Sequence, residues 1–425
     1  MVLTPRGYPA VVLAIASAAC ALAPQTAGAP AAGSAQLPAG ARIDWVQPGF
    51  NPTLPACPGD VATPLLSVVP MAPGDYVAFR PLGFISHPIW VLPAYHSSFA
   101  IAEPGQTVAD VRPVRAPADG WVALINKVAI GGGINYQVYF QPCAEFVTYF
   151  NHLKQLSEPL AAELARVLVD ERSDPDCRYT PLQGGDKTSC DKKVLVPVKA
   201  GEVLGRSGDG AGVDFGAYDK RVVANKHAVP GHYSGYRPYV SPVPYLAPDA
   251  RAAIAASLGS VMDRRVKRTA LPLHGEYVQD LEGTAQGNWF SEGRFPSTQG
   301  TPFEPTALAL VHDYVAYDGE ALLSIGASAL KGGLTGIVGI KAPLATTGRA
   351  NRDWRDVKAD GPYCYDAFAT GRTTGGLPLT RPTGILLVRL VDALHLQVEN
   401  VTNSAACPAD PAAMTLSGQA TTFER

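Results

Sequence analysis

Imidazole and carboxylate are the groups of this 425-residue sequence best suited to hold a metal ion or move a proton, and it has only eight histidines. Two of them, His96 and His152, and one carboxylate, Asp214, sit in short segments rich in aromatic, aliphatic and glycine residues. These are His96-Ser97-Ser98-Phe99-Ala100-Ile101, Tyr149-Phe150-Asn151-His152-Leu153 and Gly212-Val213-Asp214-Phe215-Gly216. Two imidazoles and a carboxylate can hold zinc, which takes about three protein ligands plus water in a catalytic site. Zinc so held lowers the pKa of its water and polarises a carbonyl. Taken one at a time, His96 and His152 read as packing or hydrogen-bonding residues and Asp214 as a turn cap, with Asp219 doing similar work. His87, followed by Pro88, reads as extended and structural. His227 and His232 fall in a Gly-, Pro- and Tyr-rich stretch and read as surface-loop residues.

Other chemistries lack their residues. The sequence has no HExxH and no GxSxG, and the glycines between Gly205 and Gly212 have no Lys-Ser/Thr after them, so no phosphate loop is present. No CxxC or CxxxC pair occurs, which argues against a cysteine zinc site. Seven cysteines are present: Cys20, Cys57, Cys143, Cys177, Cys190, Cys364 and Cys407. Setting Cys20 aside leaves an even six, which in an exported chain suggests disulfides. Cys177 with Cys190 is the most local pairing, and Cys364 with Cys407 would staple the C-terminal region.

The elements that must position these residues are strands. Apolar residues make up 47% and charged residues 17%, enough for a real core. With 42 Gly and 38 Pro the chain is turn-rich, which argues against a helical bundle. A net charge of −2 leaves no general basic surface for nucleic acid. Residues 1–35 read as a signal peptide and leader: Arg6, a short apolar run from Val11 to Leu22, then small residues and Pro. The run is too short for a transmembrane helix and no later segment qualifies. The protein is therefore expected to be exported, to a periplasmic, outer-surface or extracellular location, and a lipid anchor on Cys20 stays open.

Residues 36–70 read as an extended Pro-rich arm and 71–246 as a β domain. Within it, Val122–Ile125, Tyr136–Phe140 and Phe146–Tyr149 are strands, and Gly131-Gly132-Gly133 is a hairpin connection. Leu160, Leu164 and Leu168 recur with helical spacing and predict a helix over Ser157–Glu171. Residues 247–268 read as a helical linker, Asp249–Arg268, with a basic end on its solvated face. Residues 269–425 read as a separate antiparallel barrel or sandwich. Asp318-Gly319 marks one hairpin, Asp392-Ala393 another, and Leu394, Leu396 and Val398 alternate with His395, Gln397 and Glu399.

Two further segments complete a pattern with the first three: Val114-Arg115-Ala116-Pro117-Ala118-Asp119-Gly120-Trp121-Val122 and Val198-Lys199-Ala200-Gly201-Glu202-Val203-Leu204-Gly205. In chain order the five resemble the lysostaphin-type (LytM-like) zinc endopeptidases of bacterial cell walls, over about residues 80 to 220, with an insertion after His152. In that family the order is HxxxD, pAxADGxV, YxHL, VkxGxxVxxG and HxHF. The resemblance implies a duplicated hybrid motif, a small β barrel-sandwich, so the fold class is mostly β with few helices.

The family binds zinc through the His and Asp of HxxxD and the second His of HxH. His96 matches the first ligand, Ala100 stands in place of the Asp, and Asp214 stands in place of the third ligand. Gly212 occupies the place of one catalytic histidine, and His152 matches the other. The resemblance therefore implies a degenerate member, an exported protein that binds peptidoglycan or regulates a cell-wall hydrolase. A rival reading keeps zinc in a rearranged site of His96, His152 and Asp214 and cleaves peptidoglycan or peptides. A third places small-molecule binding in the C-terminal domain, where Gly287-Asn288-Trp289 resembles the short GxW signature of lipocalins.

Overall fold

Period-two alternation of large apolar and polar residues builds the strands around the candidate residues. The computed structural model describes residues 35–36, 50–86, 90–103, 106, 111–130, 133–180, 187–208, 212–223, 227–233, 239–297, 303–316 and 320–425. The expected signal peptide with Cys20, His87, Gly131-Gly132 and Asp318-Gly319 lie outside the described residues. The first half runs β1 (Ala78–Arg80), β2 (Ser97–Ala100), β3 (Pro113–Arg115), β4 (Gly120–Ile130), β5 (Gly133–Cys143), β6 (Phe146–Leu156), α1 (Glu158–Val167), β7 (Cys177–Thr180), β8 (Lys187–Val198), β9 (Val203–Ser207), β10 (Gly212–Asp219), β11 (Tyr239–Val240) and α2 (Pro248–Ala255). These strands form one antiparallel sheet in the order β1-β2-β10-β6-β5-β4-β8-β7, with β9 paired to β3 and β6, and β11 paired to β10.

One face of β2, β6 and β10 is apolar. Phe99, Phe150, Phe215 and Val213 enter the main core, and the Phe150 and Phe215 rings stack at 5.3 Å. The two glycine-containing connections meet each other. Asp119 Oδ1 accepts from the Ala200 N–H at 2.9 Å, and the Gly201 N–H donates to the Ala116 carbonyl at 2.9 Å. Gly201 has φ +82°, where a side chain would be strained. The arm, described from residue 50, is tied down: Leu66 is buried and its N–H donates to the Tyr245 carbonyl at 3.0 Å.

Both helices are shorter than the spacing predicts. α1 stops at Val167, because Leu168 leaves helical geometry and the acidic turns that begin at Asp170 compete for the backbone. α2 stops at Ala255 instead of running to Arg268. The chain folds back there, and a Cβ on Gly259 would lie 2.3 Å from the Val266 carbonyl oxygen. The basic run therefore caps no helix and is not a solvated helical face. Arg268 is buried and donates to the carbonyls of Pro272, Leu273 and Tyr314.

The second half holds two four-stranded antiparallel sheets. One is β12 (Gly287–Trp289), β13 (Leu308–His312), β14 (Ala321–Ile325) and β15 (Gly336–Gly339); the other is β16 (Tyr363–Tyr365), β17 (Ile385–Leu390), β18 (His395–Val401) and β19 (Thr421–Glu424). Single bridges, Ile340 to Phe368 and Phe290 to Glu424, join the sheets at both ends of the strand order. Trp289, Leu310, Leu323, Trp354, Tyr365, Leu396 and Phe423 fill the space between them. Arg425 lies 4.3 Å over the Trp289 ring. The outer face of the first sheet, with Ala309, Val311 and Leu322, packs on Ile85, Val91, Leu92 and Tyr233 of the first half. β13 and β14 are therefore buried on both faces and read as continuous apolar runs.

The alternation after Asp392 holds only in part. Leu396 and Val398 are buried, but Leu394 is exposed in the turn, and Glu399 is buried because Ser417 donates to it through both N–H and Oγ. His227 and His232 are not loop surface. His227 is buried, stacked on Tyr233 and bonded to the Tyr277 hydroxyl at 2.7 Å; His232 stacks on Phe295. The junction between the halves covers both.

Three disulfides are present: Cys57–Cys143, Cys177–Cys190 and Cys364–Cys407. Among the described residues no helix is long and apolar enough to cross a membrane.

Candidate functional site

β10 lies between β2 and β6, and its register brings the candidate residues to one place. Asp214 is paired with Ser98 on one side and Asn151 on the other. His96, just before β2, reaches the same carboxylate: its Nδ1 is 3.5 Å from Asp214 Oδ1. His152 Nε2 is 3.2 Å from Asp214 Oδ2, and Asn151 Nδ2 donates to that oxygen at 3.2 Å. His96 and Asp214 are nearly buried, while the His152 side chain is 49% exposed.

Strict alternation would turn His152 away from Asn151. His152 instead has φ +67°, a left-handed conformation uncommon for a residue with a side chain. Its N–H donates to Asn151 Oδ1 at 2.8 Å, and its carbonyl accepts from the Gly208 N–H at 2.9 Å. That break in the strand puts Asn151 and His152 side by side on one carboxylate.

The electrostatics follow from this clustering. Burial alone would raise the Asp214 carboxyl. The imidazoles of His96 and His152 and the Asn151 amide outweigh it and hold the carboxyl down at about 2. Burial pulls the His152 imidazole down, but its hydrogen bond to Asp214 and the charge there leave it raised.

The donor set does not suit a three-ligand zinc. His152 Nε2 faces Asp214, and its Nδ1 lies 3.3 Å from Asn135 Nδ2, a donor, so both ring nitrogens are engaged. His96 Nδ1 faces two acceptors, the Ser97 carbonyl at 3.2 Å and Asp214 Oδ1 at 3.5 Å, and so is turned to hydrogen bonding on that side. Among the described residues no group of three His, Cys, Asp or Glu is disposed to hold a metal ion. Ala100 and Gly212 are direct partners across the β2–β10 ladder. A Cβ on Gly212 would lie 2.9 Å from both the Phe99 carbonyl oxygen and Ser98 Oγ, so that corner is already filled.

Beside Asp214 lies a cluster of tyrosines that the segments did not announce. Tyr149 and Tyr218 stack at 5.3 Å, Tyr218 meets Tyr239 at 4.7 Å, and Tyr239 meets Tyr95 at 4.5 Å. Tyr149 lies across Gly216, where a Cβ would come within 2.1 Å of its ring. The Tyr149 hydroxyl is buried without a hydrogen-bond partner among the described residues, and burial holds its pKa well above the usual phenol range. The signal for Asn151 and Tyr149 was local: both are odd-numbered on β6 and share the face of Asp214's neighbours. Nothing local pointed to Asn135, which reaches His152 from across the β5–β6 pair.

No protein-family model matches this chain, and no curated protein is similar to it.

Proposed function

We propose that this is an exported cell-envelope protein whose first half is a degenerate LytM-like peptidase domain that binds peptidoglycan peptides, or regulates a cell-wall hydrolase, without hydrolysing them. The observation that carries the reading is the state of Asp214. The imidazoles of His96 and His152 and the Asn151 amide face its oxygens, with Ala100 opposite Gly212 beside it. A peptidase of the zinc type needs lone pairs aimed at one ion and an open ligand position. A closed hydrogen-bond network supplies neither, yet it leaves the His152 side chain half-exposed, where it can meet the backbone amides of a bound peptide. Three disulfides are the usual chemistry of an oxidising compartment. The interior of the second half is filled by Trp289, Trp354, Tyr365 and Phe423, so a ligand within it is not proposed.

The test is cosedimentation of the oxidised protein with purified peptidoglycan, together with release of soluble fragments and elemental zinc. The expected result is binding, weakened at least tenfold by His152→Ala, with no fragments released and zinc far below one per chain. Zinc at one per chain with metal-dependent fragment release would overturn the reading in favour of a rearranged metallopeptidase. Absence of any binding would overturn it as well.

A further inference from the structure

The face of the sheet turned away from His152 carries a second opening. Asn135 reaches His152 from β5, and alternation turns its neighbour Tyr136 to the other side. There Tyr136 pairs with Lys127 of β4 and, with Leu156 and Leu168, packs on the margin of the main core. α1 covers this margin without sealing it. Its Leu160 and Leu164 are buried, but Ala161 and Ala165, one turn apart, have short side chains. A trough of about 520 Å³ is left between the helix and strands β4, β5 and β6. That lies within the roughly 300–1,000 Å³ of small-molecule pockets.

Two kinds of surface line the trough. Tyr136, Leu156, Leu164 and Leu168 make its apolar wall, and Val169, 89% exposed, stands at its mouth. Lys127 and Lys154 bring two ammonium groups against the one carboxylate of Glu171, so positive charge is in excess. Lys127 Nζ donates to Glu171 Oε1 at 2.5 Å, and both side chains are less than one-third exposed. An ammonium has three N–H donors, so Lys127 can keep that bond and still donate to another acceptor. An apolar wall beside an excess of ammonium matches an amphiphile with an anionic head and opposes a cationic one. We propose that this trough is a binding site for an aliphatic monocarboxylate, its chain along Leu156, Leu164 and Leu168 and its head at Lys127, which Glu171 holds in place. α1 lies in the insertion after His152, outside the five segments, so the site stands independently of the peptide-binding reading.

The experiment is calorimetric titration of the oxidised full chain with decanoate, 1-decanol and decylamine, each below its solubility or micelle limit. The expected result is one decanoate per chain, bound about tenfold more tightly than decanol, with decylamine weakest. Lys127→Met keeps an aliphatic stem and should erase the preference for decanoate over decanol. Glu171→Gln keeps an acceptor for Lys127 but removes a like charge, and should tighten decanoate while leaving decanol unchanged. Ala165→Trp, at an exposed helix position, should fill the trough and abolish decanoate binding at an unchanged melting temperature. Equal binding of decanoate and decanol, tighter binding of decylamine, or no saturable binding overturns the proposal. Full decanoate binding by Ala165→Trp overturns it as well, since the amphiphile would then sit elsewhere. Peptidoglycan cosedimentation reads the opposite face of the sheet, so failure of either measurement leaves the other reading standing.

Discussion

Asp214 is the residue on which the site turns, and its behaviour with pH can be derived. Its folded pKa, near 2, lies below the ordinary carboxylate value, so its stabilisation is present above about pH 4 and is lost as pH falls through about 2. His152 is shifted the other way. Its stabilisation is full below about pH 6.5 and is lost as pH rises through its raised folded value. The two overlap between about pH 4 and 6.5. Asp214→Asn should therefore lower the melting temperature most in that window, and less as pH rises through the raised His152 value. A melting-temperature gap that stays flat from pH 4.5 to 9 would show that the pair is not coupled. At Tyr149 the expectation has the opposite sign: its unbonded hydroxyl contributes only a desolvation penalty, so Tyr149→Phe should be neutral or stabilising in chemical denaturation. A loss beyond about 1 kcal/mol would mean that the hydroxyl is engaged. Gly216→Ala, by contrast, should cost about 1–3 kcal/mol through overpacking against the Tyr149 ring.

At the level of elements, what holds β2, β6 and β10 in register is the sheet, and what holds the arm and the long β4–β5 pair to it is covalent. Cys57–Cys143 closes 86 residues, Cys364–Cys407 closes 43 and Cys177–Cys190 closes 13. In the chain-entropy account these are worth about 4.6, 4.0 and 2.9 kcal/mol. Replacing each pair by serines should therefore lower stability in that order, read as three denaturant midpoints. Loss of Cys177–Cys190 should be mildest, since it ties only the edge strand β7 to its neighbour β8. The cysteine pairing was partly legible beforehand, because Cys177 with Cys190 is the closest pair in sequence. The helices were less so. Leu160, Leu164 and Leu168 have helical spacing, but only the first two are fully buried on the helix; Leu168 packs against the core from just beyond its end.

Across the whole molecule, the junction between the halves is a titratable contact. Glu304 is held up at about 7, chiefly by burial, while the Val91 and Leu92 N–H groups pull the other way. A carboxyl raised above its unfolded value contributes stability below about pH 4.5 and loses it as pH climbs toward 7. Glu304→Gln should thus gain on the wild type between pH 5 and 8, a difference that thermal unfolding at both pH values would reveal. An equal gap at the two would place the Glu304 charge in solvent. The junction also explains where reading by residue type failed. His227, His232 and Arg268 look like surface residues in a polar, turn-rich context, and each is covered by a partner distant in sequence: Tyr277, Phe295 and Tyr314.

Composition, strand periodicity and turn residues settled on their own that this chain is mostly β, with few helices and cross-linkable cysteines, because those signals are local and repeat every two residues. The order of five short segments also singled out His96, His152 and Asp214. Whether those side chains meet was decided only by tertiary structure. Strand register sets Asp214 opposite Ser98 and Asn151, and a single left-handed residue, His152, breaks the alternation that would have sent its ring away. Register is a long-range property, since one residue of slip moves every side chain to the other face.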